Sequence, residues 1–394
     1  MRSFFHKTAF CAGAAALSLI ALIGFYGKNL PGSFLLPDGG RLAVGSLFTV
    51  TSRTSETNTE DDPDMDAGTR DTTLMLFDTF PIKTVSAAVI DRPSLVPCGQ
   101  PFGIRLMTDG VMVIGLEDIN SSCPASDCGI RVGDVIMSIN GRTVTTNKRV
   151  SELISSSKGL PCSVCFSRGG RERTATLTPV YSSGTYKAGM WVRDSSAGIG
   201  TLTFYDPAAH AFAGLGHPIC DADTKLPLPI SHGTVGEVKI NGCTRSEHGE
   251  PGQLLGEFIS TDTAGTITAN ISEGVYGRLD ASPSSCPELP LGFKQEIRTG
   301  PAEILSTVSG TEPKRYSIEI ESVDLSDDAA HDMIVHVTDG ALLSEAGGIV
   351  QGMSGSPIIQ DGRLVGAVTH VFVDDPTRGY AIFAEDMYTA SRSC

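Results

Sequence analysis

The sequence predicts a mainly β protein in several parts: an N-terminal membrane helix, a small β domain and a larger domain of paired β-barrels. Three observations predict this. An apolar run from Thr8 to Tyr26 follows Arg2, His6 and Lys7. The remaining chain is a succession of short alternating runs punctuated by glycine, 44 in 394 residues, with few helical periods. Near the C-terminus, Gly352-Met353-Ser354-Gly355-Ser356-Pro357 leads straight into an alternating strand.

The apolar run exceeds the core of a secretion signal and approaches the ~20 residues that span a bilayer. No clear small-x-small cleavage site follows the run before Lys28. The basic flank keeps the N-terminus inside and exports the rest, so residues 1–28 read as a signal anchor. Ten cysteines leave nine beyond the anchor, where disulfides are permitted. Cys162 and Cys165 have a metal-like spacing, but lie in a strand pattern that turns them to opposite faces. No second pair completes a zinc site, and neither metal nor cofactor is expected. The formal net charge of −15 argues against nucleic acid as a partner.

Residues 29–85 read as a small β segment interrupted by a Ser/Thr/Asp/Glu stretch from Thr51 to Thr73. Such a stretch buries too little apolar surface to order itself, so it is expected to be an exposed tether. Residues 86–182 carry the string Gly129-Ile130, Gly133-Asp134, Ile136 and Ile139-Asn140-Gly141, followed by an amphipathic helix over 148–156. This string resembles PDZ domains, which bind peptides as an added strand. The resemblance places the peptide-binding loop around Gly103 and Ile104, though not in the Gly-Leu-Gly-Phe form.

Residues 183–394 form the larger domain. In Gly-x-Ser-Gly-x-Pro, glycines curl the backbone so that N–H groups face one point and the serine stands clear. This is how chymotrypsin-type peptidases present their nucleophile. Ser354 is the candidate nucleophile, and the Gly352 and Ser354 N–H groups are the candidate oxyanion donors. Ser356 is the rival nucleophile. His217, between Gly216 and Pro218 at a strand end, is the candidate base.

With Gly214-Leu215-Gly216-His217-Pro218-Ile219, Asp221, Asp223-Thr224, Gly274-Val275-Tyr276-Gly277, Gly347–Pro357 and Gly366–Phe372, the chain resembles the stage IV sporulation protein B peptidases of endospore-forming bacteria. The order of anchor, PDZ and peptidase also matches; HtrA-type proteases place the peptidase first. The resemblance implies a triad of His217 as base, Asp339 as orienting acid and Ser354 as nucleophile, with Asp221 and Asp223 as rival acids. His370 resembles a histidine that lines the specificity pocket in some chymotrypsin-like enzymes. The resemblance also implies a place and partners. The enzyme would be held in the space between forespore and mother-cell membranes. It would cleave itself near the N-terminus; the exposed tether, rather than the resemblance, puts the expected cut between Lys28 and Thr73, with the PDZ domain restraining it by holding part of that tether, and so yields a soluble form. The enzyme would also cleave the regulatory subunit of a membrane metalloprotease complex, which triggers mother-cell sigma-factor activation. A non-catalytic PDZ adaptor with a protease-like barrel is the alternative.

Overall fold

In the computed structural model, residues 2–37, 42–44, 50–54, 69–283, 286–327, 329 and 331–394 are described. The first helix covers Arg2–Asn29. No helix among the described residues is long and apolar enough to cross a membrane. The last turns of this helix bring Leu19, Leu22, Ile23 and Tyr26 onto a five-stranded sheet.

That sheet runs in the order Ser33–Pro37, Phe80–Ile90, Thr69–Leu76, Val50–Thr54, Ala43–Val44, with the first pair parallel. Its core is Phe34, Leu36, Val44, Val50, Leu74, Leu76 and Val85. The expected tether is thereby corrected at both ends. Val50–Thr54 pairs residue by residue with Leu76–Thr72, and Thr69–Thr73 pairs with Ala88–Thr84. Thr has high strand propensity, and these residues extend strands whose buried side chains are Val50, Thr72, Leu74 and Val85, so a polar composition does not keep them out of the sheet. The acidic residues 55–68 lie outside the described residues.

Beyond residue 90 two six-stranded rings follow. The first is Pro101–Leu116, Ile230–Thr244, Gly265–Ile271, Gly274–Leu279, Ala211–Gly214 and Met190–Asp206; the last strand pairs back onto the first and closes it. Phe102, Ile104, Leu106, Leu202, Phe212, Val235 and Ile267 fill its interior, one residue in two along each strand. The second ring is Gly300–Ser306, Lys314–Val323, Met333–Val337, Arg378–Phe383, Arg363–Val371 and Pro357–Gln360. The expected pair of barrels is thus present.

The first part of the expected PDZ span of 86–182 is shared with neighbouring sheets, and the rest of that span stands between two strands of the first ring. Residues 101–108 already belong to the first ring, and Ser86–Ile90 belongs to the N-terminal sheet. The chain leaves the ring at Gly110 (φ +87°) and builds strands Val135–Ile139, Cys162–Arg168 and Arg171–Leu177 with helix Asn147–Ser156. It then returns along Met190–Arg193. Val150, Leu153 and Ile154 form the buried helix face that the sequence predicts, and Thr146 caps the helix by accepting from Arg149 N.

Gly103 and Ile104 therefore cannot receive a peptide. Gly103 pairs with Ile199 on one side and Gly236 on the other, and Ile104 with Gly198 and Val235. A strand bonded on both edges has no N–H or C=O left to offer. Gly103 is required by packing instead, since a Cβ there would meet the Phe258 ring at 2.1 Å.

Candidate active site

Each ring contributes one loop, and both loops contact Thr369 of the second ring. The serine loop follows Gly347 and Gly348 and enters strand Pro357–Gln360. Gly352 (φ +100°) and Gly355 (φ +97°) hold it in a left-handed conformation that other residues resist. Its internal bonds run from Met353 N to Val350 O (3.1 Å) and Ser356 N to Met353 O (2.9 Å), and Gly355 N ties it to Val368 O of strand Arg363–Val371 (2.7 Å). The N–H groups of Gly352 and Ser354 have no partner among the described residues. Two free donors flanking a serine are what an oxyanion hole requires.

This loop is clamped from the first ring. Thr201 N donates to Ser354 O at 3.1 Å, and Thr201 Oγ1 donates to Gly352 O at 2.8 Å. Contact is close enough that a Cβ on Gly355 would stand 2.0 Å from Thr201 O. Ser356, the rival nucleophile, is fully buried and donates to Ser306 Oγ at 3.0 Å, so no substrate reaches it.

The histidine loop leaves strand Ala211–Gly214 through Leu215 (φ +68°) and Gly216 (φ +70°). A Cβ on Gly216 would lie 2.9 Å from Thr369 Cγ2 and from Ile382 Cγ2, so glycine lets this loop pack on the second ring. His217 Nδ1 lies 2.9 Å from Pro218 O. A carbonyl only accepts, so Nδ1 carries the proton and Nε2 keeps its lone pair. Burial holds the His217 pKa below its ordinary value, against an opposing effect of the Pro218 carbonyl. The imidazole is therefore neutral, as a base must be.

Serine and histidine converge on Thr369-His370. Ser354 Oγ donates to Thr369 O at 2.5 Å, and the His370 ring lies 4.5 Å from the His217 ring, centroid to centroid. No hydrogen bond joins Ser354 to His217 among the described residues. His370 is held below the ordinary histidine range, first by desolvation and then by His217 and His331. A cavity of about 720 Å³ opens beside His217 and His370, with Glu273, Asp332 and Asp386 in its wall. Burial pushes Asp332 up to about 6, although Phe383 N donates to it at 2.8 Å.

Asp339 is not brought to His217, which corrects the expected triad. It is the N-cap of helix Gly340–Ala346: Oδ1 accepts from Ala341 N (2.9 Å) and Leu342 N (3.0 Å), and Oδ2 from Ser317 N (3.4 Å). The signal was present in the sequence, because Asp before Gly-Ala-Leu-Leu-Ser-Glu-Ala is a helix start. The rivals Asp221 and Asp223 are both taken by Arg193. The group that orients His217 is the Pro218 carbonyl.

Sequence reasoning missed Thr201, Asn270 and Arg193. Asn270 pins the histidine loop, accepting from Ile219 N at 2.7 Å and donating to Ile219 O and Leu228 O at 2.9 and 3.0 Å. Among the described residues, no group of three or more His, Cys, Asp or Glu side chains is placed to hold a metal ion.

Residues 184–388 match the family described as SpoIVB peptidase S55, and residues 101–178 match the PDZ domain family. A protein described as "Putative zinc metalloprotease" from Thermotoga maritima is 32% identical over 78 residues, 20% of this chain and 15% of that protein. A second of that description from Lactococcus lactis is 36% identical over 76 residues, 19% of this chain and 18% of that one. The chain thus spans under a fifth of the length of these relatives. The PDZ domain of an SdrC-like protein from Listeria monocytogenes aligns with 21% of this chain and 87% of that domain, at 23% identity and a TM-score of 0.19.

Proposed function

The chain belongs to the SpoIVB peptidase S55 family and is a serine peptidase; we propose that Ser354 and His217 perform the hydrolysis, with the Gly352 and Ser354 N–H groups as oxyanion hole. The observation that carries this is the pair of unpartnered N–H groups at a serine bonded to Thr369, whose neighbour His370 lies against the His217 ring.

For the reaction the Ser354 hydroxyl leaves Thr369 O and donates instead to His217 Nε2. Oγ then bonds to the substrate carbonyl carbon as its proton passes to Nε2. The carbonyl oxygen becomes an oxyanion and receives the two N–H groups. Collapse breaks the C–N bond, and His217 gives its proton to the leaving amine. Water, deprotonated by the same imidazole, hydrolyses the resulting ester. Through each step the Pro218 carbonyl keeps Nδ1 protonated and stabilises the imidazolium.

The substrates are proteins. Family membership supports a sporulation enzyme whose substrate is the regulatory subunit of a membrane metalloprotease, and whose own N-terminal region is a second substrate. The basic flank and apolar run of the first helix support membrane attachment and export to the space between the sporulation membranes.

A fluorophosphonate probe tests the chemistry. The full chain should be labelled at Ser354, while Ser354→Ala should lose labelling and peptide hydrolysis, typically by on the order of a millionfold, with unchanged circular dichroism. An unlabelled, inactive full chain would favour the PDZ adaptor.

A further inference from the structure

Arg193 lies where the inserted PDZ unit rejoins the first ring. It belongs to the 17-residue strand Met190–Asp206, whose first residues run along Met112–Leu116 of the PDZ unit and whose Thr201 clamps the serine loop. Between Arg193 and Ser195 the register shifts, so Asp194 is set out of the ladder. The displaced Asp194 accepts through Oδ2 from Asn147 N, the first residue of helix Asn147–Ser156, at 2.8 Å. Val150, Leu153 and Ile154 of that helix share a core with Met190 and Val192. The opposite edge of Met190–Arg193 carries no strand among the described residues. PDZ units take peptides between such an edge and such a helix.

The Arg193 guanidinium reaches the other way. Nη1 bonds Asp221 Oδ2, and Nη2 bonds Asp223 Oδ2 at 2.7 Å. The Asp221 side chain is wholly buried (0% exposed), and it stands four residues after His217 in the same loop. Its Oδ1 accepts from Asp223 N and Thr224 N at 3.0 and 2.8 Å, folding the loop around one carboxylate. Burial acts to raise its pKa, but these amides and the Arg193 charge bring it below the ordinary value. A buried carboxylate without its cation carries a large desolvation penalty, so Arg193 decides whether this loop conformation is held.

We propose that Arg193 is a positioning residue for His217, linking the start of the PDZ helix, through Asp194, to the loop that bears the base. The proposal rests on the reading of His217 and Ser354 given above. It assigns Asp221 and Asp223 a shared role as the anchor of the histidine loop. It also gives the PDZ unit a route to catalysis: displacement of Met190–Asp194 moves the guanidinium, and the guanidinium moves the loop.

The test compares Arg193→Ala, Arg193→Lys and Asp223→Asn in the full chain, using hydrolysis of a casein-derived fluorogenic peptide. Arg193→Ala should lower kcat by on the order of tenfold to a hundredfold with little change in KM, the signature of a misplaced base. Lysine should restore part of that loss, since it keeps a charge at Asp221 but cannot fork to both carboxylates. Asp223→Asn removes only the exposed arm, leaves folding untouched and should lower kcat severalfold. The acid limb of kcat/KM should also move up in Arg193→Ala, toward the ordinary histidine value, as His217 is rehydrated among His370, His331, Asp332, Glu273 and Asp386. A purely structural arginine would not shift that limb.

Asp194→Ala should lower kcat in the parent chain and add nothing in the Arg193→Ala background. Unchanged kcat and acid limb in folded Arg193→Ala would overturn the positioning role. Additive losses would overturn the link to the PDZ helix. If the parent chain neither hydrolyses peptide nor takes the fluorophosphonate, it is the proposed function that fails.

Discussion

Thr201 holds Ser354 by its main chain, donating N–H to the Ser354 carbonyl at 3.1 Å, and its hydroxyl holds the neighbouring Gly352 carbonyl at 2.8 Å. The two clamped carbonyls fix the peptide planes on either side of Met353 and so the path of the serine loop, in which the Gly352 and Ser354 N–H groups have no partner among the described residues. The loop that carries the proposed oxyanion donors is thus held by both barrels.

Thr201→Val isolates the hydroxyl. The isostere keeps the N–H bond and the buried volume but leaves the Gly352 carbonyl free to turn. The expected cost is about 1 kcal/mol in stability and a fall in kcat on the order of tenfold, since donors act only when aimed at the developing charge. Stability follows from denaturant midpoints and kcat from peptide hydrolysis. Full activity in Thr201→Val would mean that the glycine torsions alone set the turn.

What the sequence made legible was local. Glycine-imposed torsions within six residues around Ser354 can be read without knowing the partner strand, and so can the apolar face Val150, Leu153 and Ile154. Thr201 could not be read, because its partners lie some 150 residues away and alternation does not say which loop a strand will meet. Gly103 and Ile104 failed for the same reason: an alternating run looks alike as an edge strand and between two neighbours. The acidic stretch was read by composition, and its Thr-rich ends turned out to be paired strands.

Asp339 separates the structural reading from the triad expected by resemblance. As an N-cap it accepts amides, and asparagine caps helices as well as aspartate does. Asp339→Asn should keep both the thermal midpoint and most of kcat, whereas Asp339→Ala should lose ~1 kcal/mol of stability. A ten-thousandfold drop in kcat in Asp339→Asn at an unchanged midpoint would restore it as the orienting acid.

The pH profile follows from the His217 environment. As the proposed base, His217 works only when neutral, so activity should be present above its pKa and lost as pH falls through it. Desolvation holds that pKa below the ordinary histidine value of 6.5. The acid limb of kcat/KM, which reports the free enzyme, should therefore lie below 6.5. A limb at or above neutrality would contradict an imidazole stripped of water.

Cleavage near the N-terminus need not release the enzyme. A cut within 55–68 leaves helix Arg2–Asn29 and strands Ser33–Pro37, Ala43–Val44 and Val50–Thr54 on one fragment. The first of these strands still pairs with Phe80–Ile90, and the last with Thr69–Leu76. Phe34, Leu36, Leu42, Val44 and Val50 stay buried on that fragment, each at 8% exposure or less. At about 1.5–3 kcal/mol per buried side chain, their burial outweighs the loss of one peptide bond's tethering. Gln295 Nε2 adds a bond to Leu35 O at 2.7 Å, and Gly32 N one to Asp327 Oδ2 at 2.9 Å. A foreign protease site placed within 55–68 of the Ser354→Ala chain, cut and then chromatographed in detergent, should yield two fragments that co-elute until denaturant is added. Separation straight after the cut would show that the sheet does not survive the nick. Co-elution would mean that a soluble form requires a second cut beyond Ile90, or an opening of the sheet that cleavage alone does not supply.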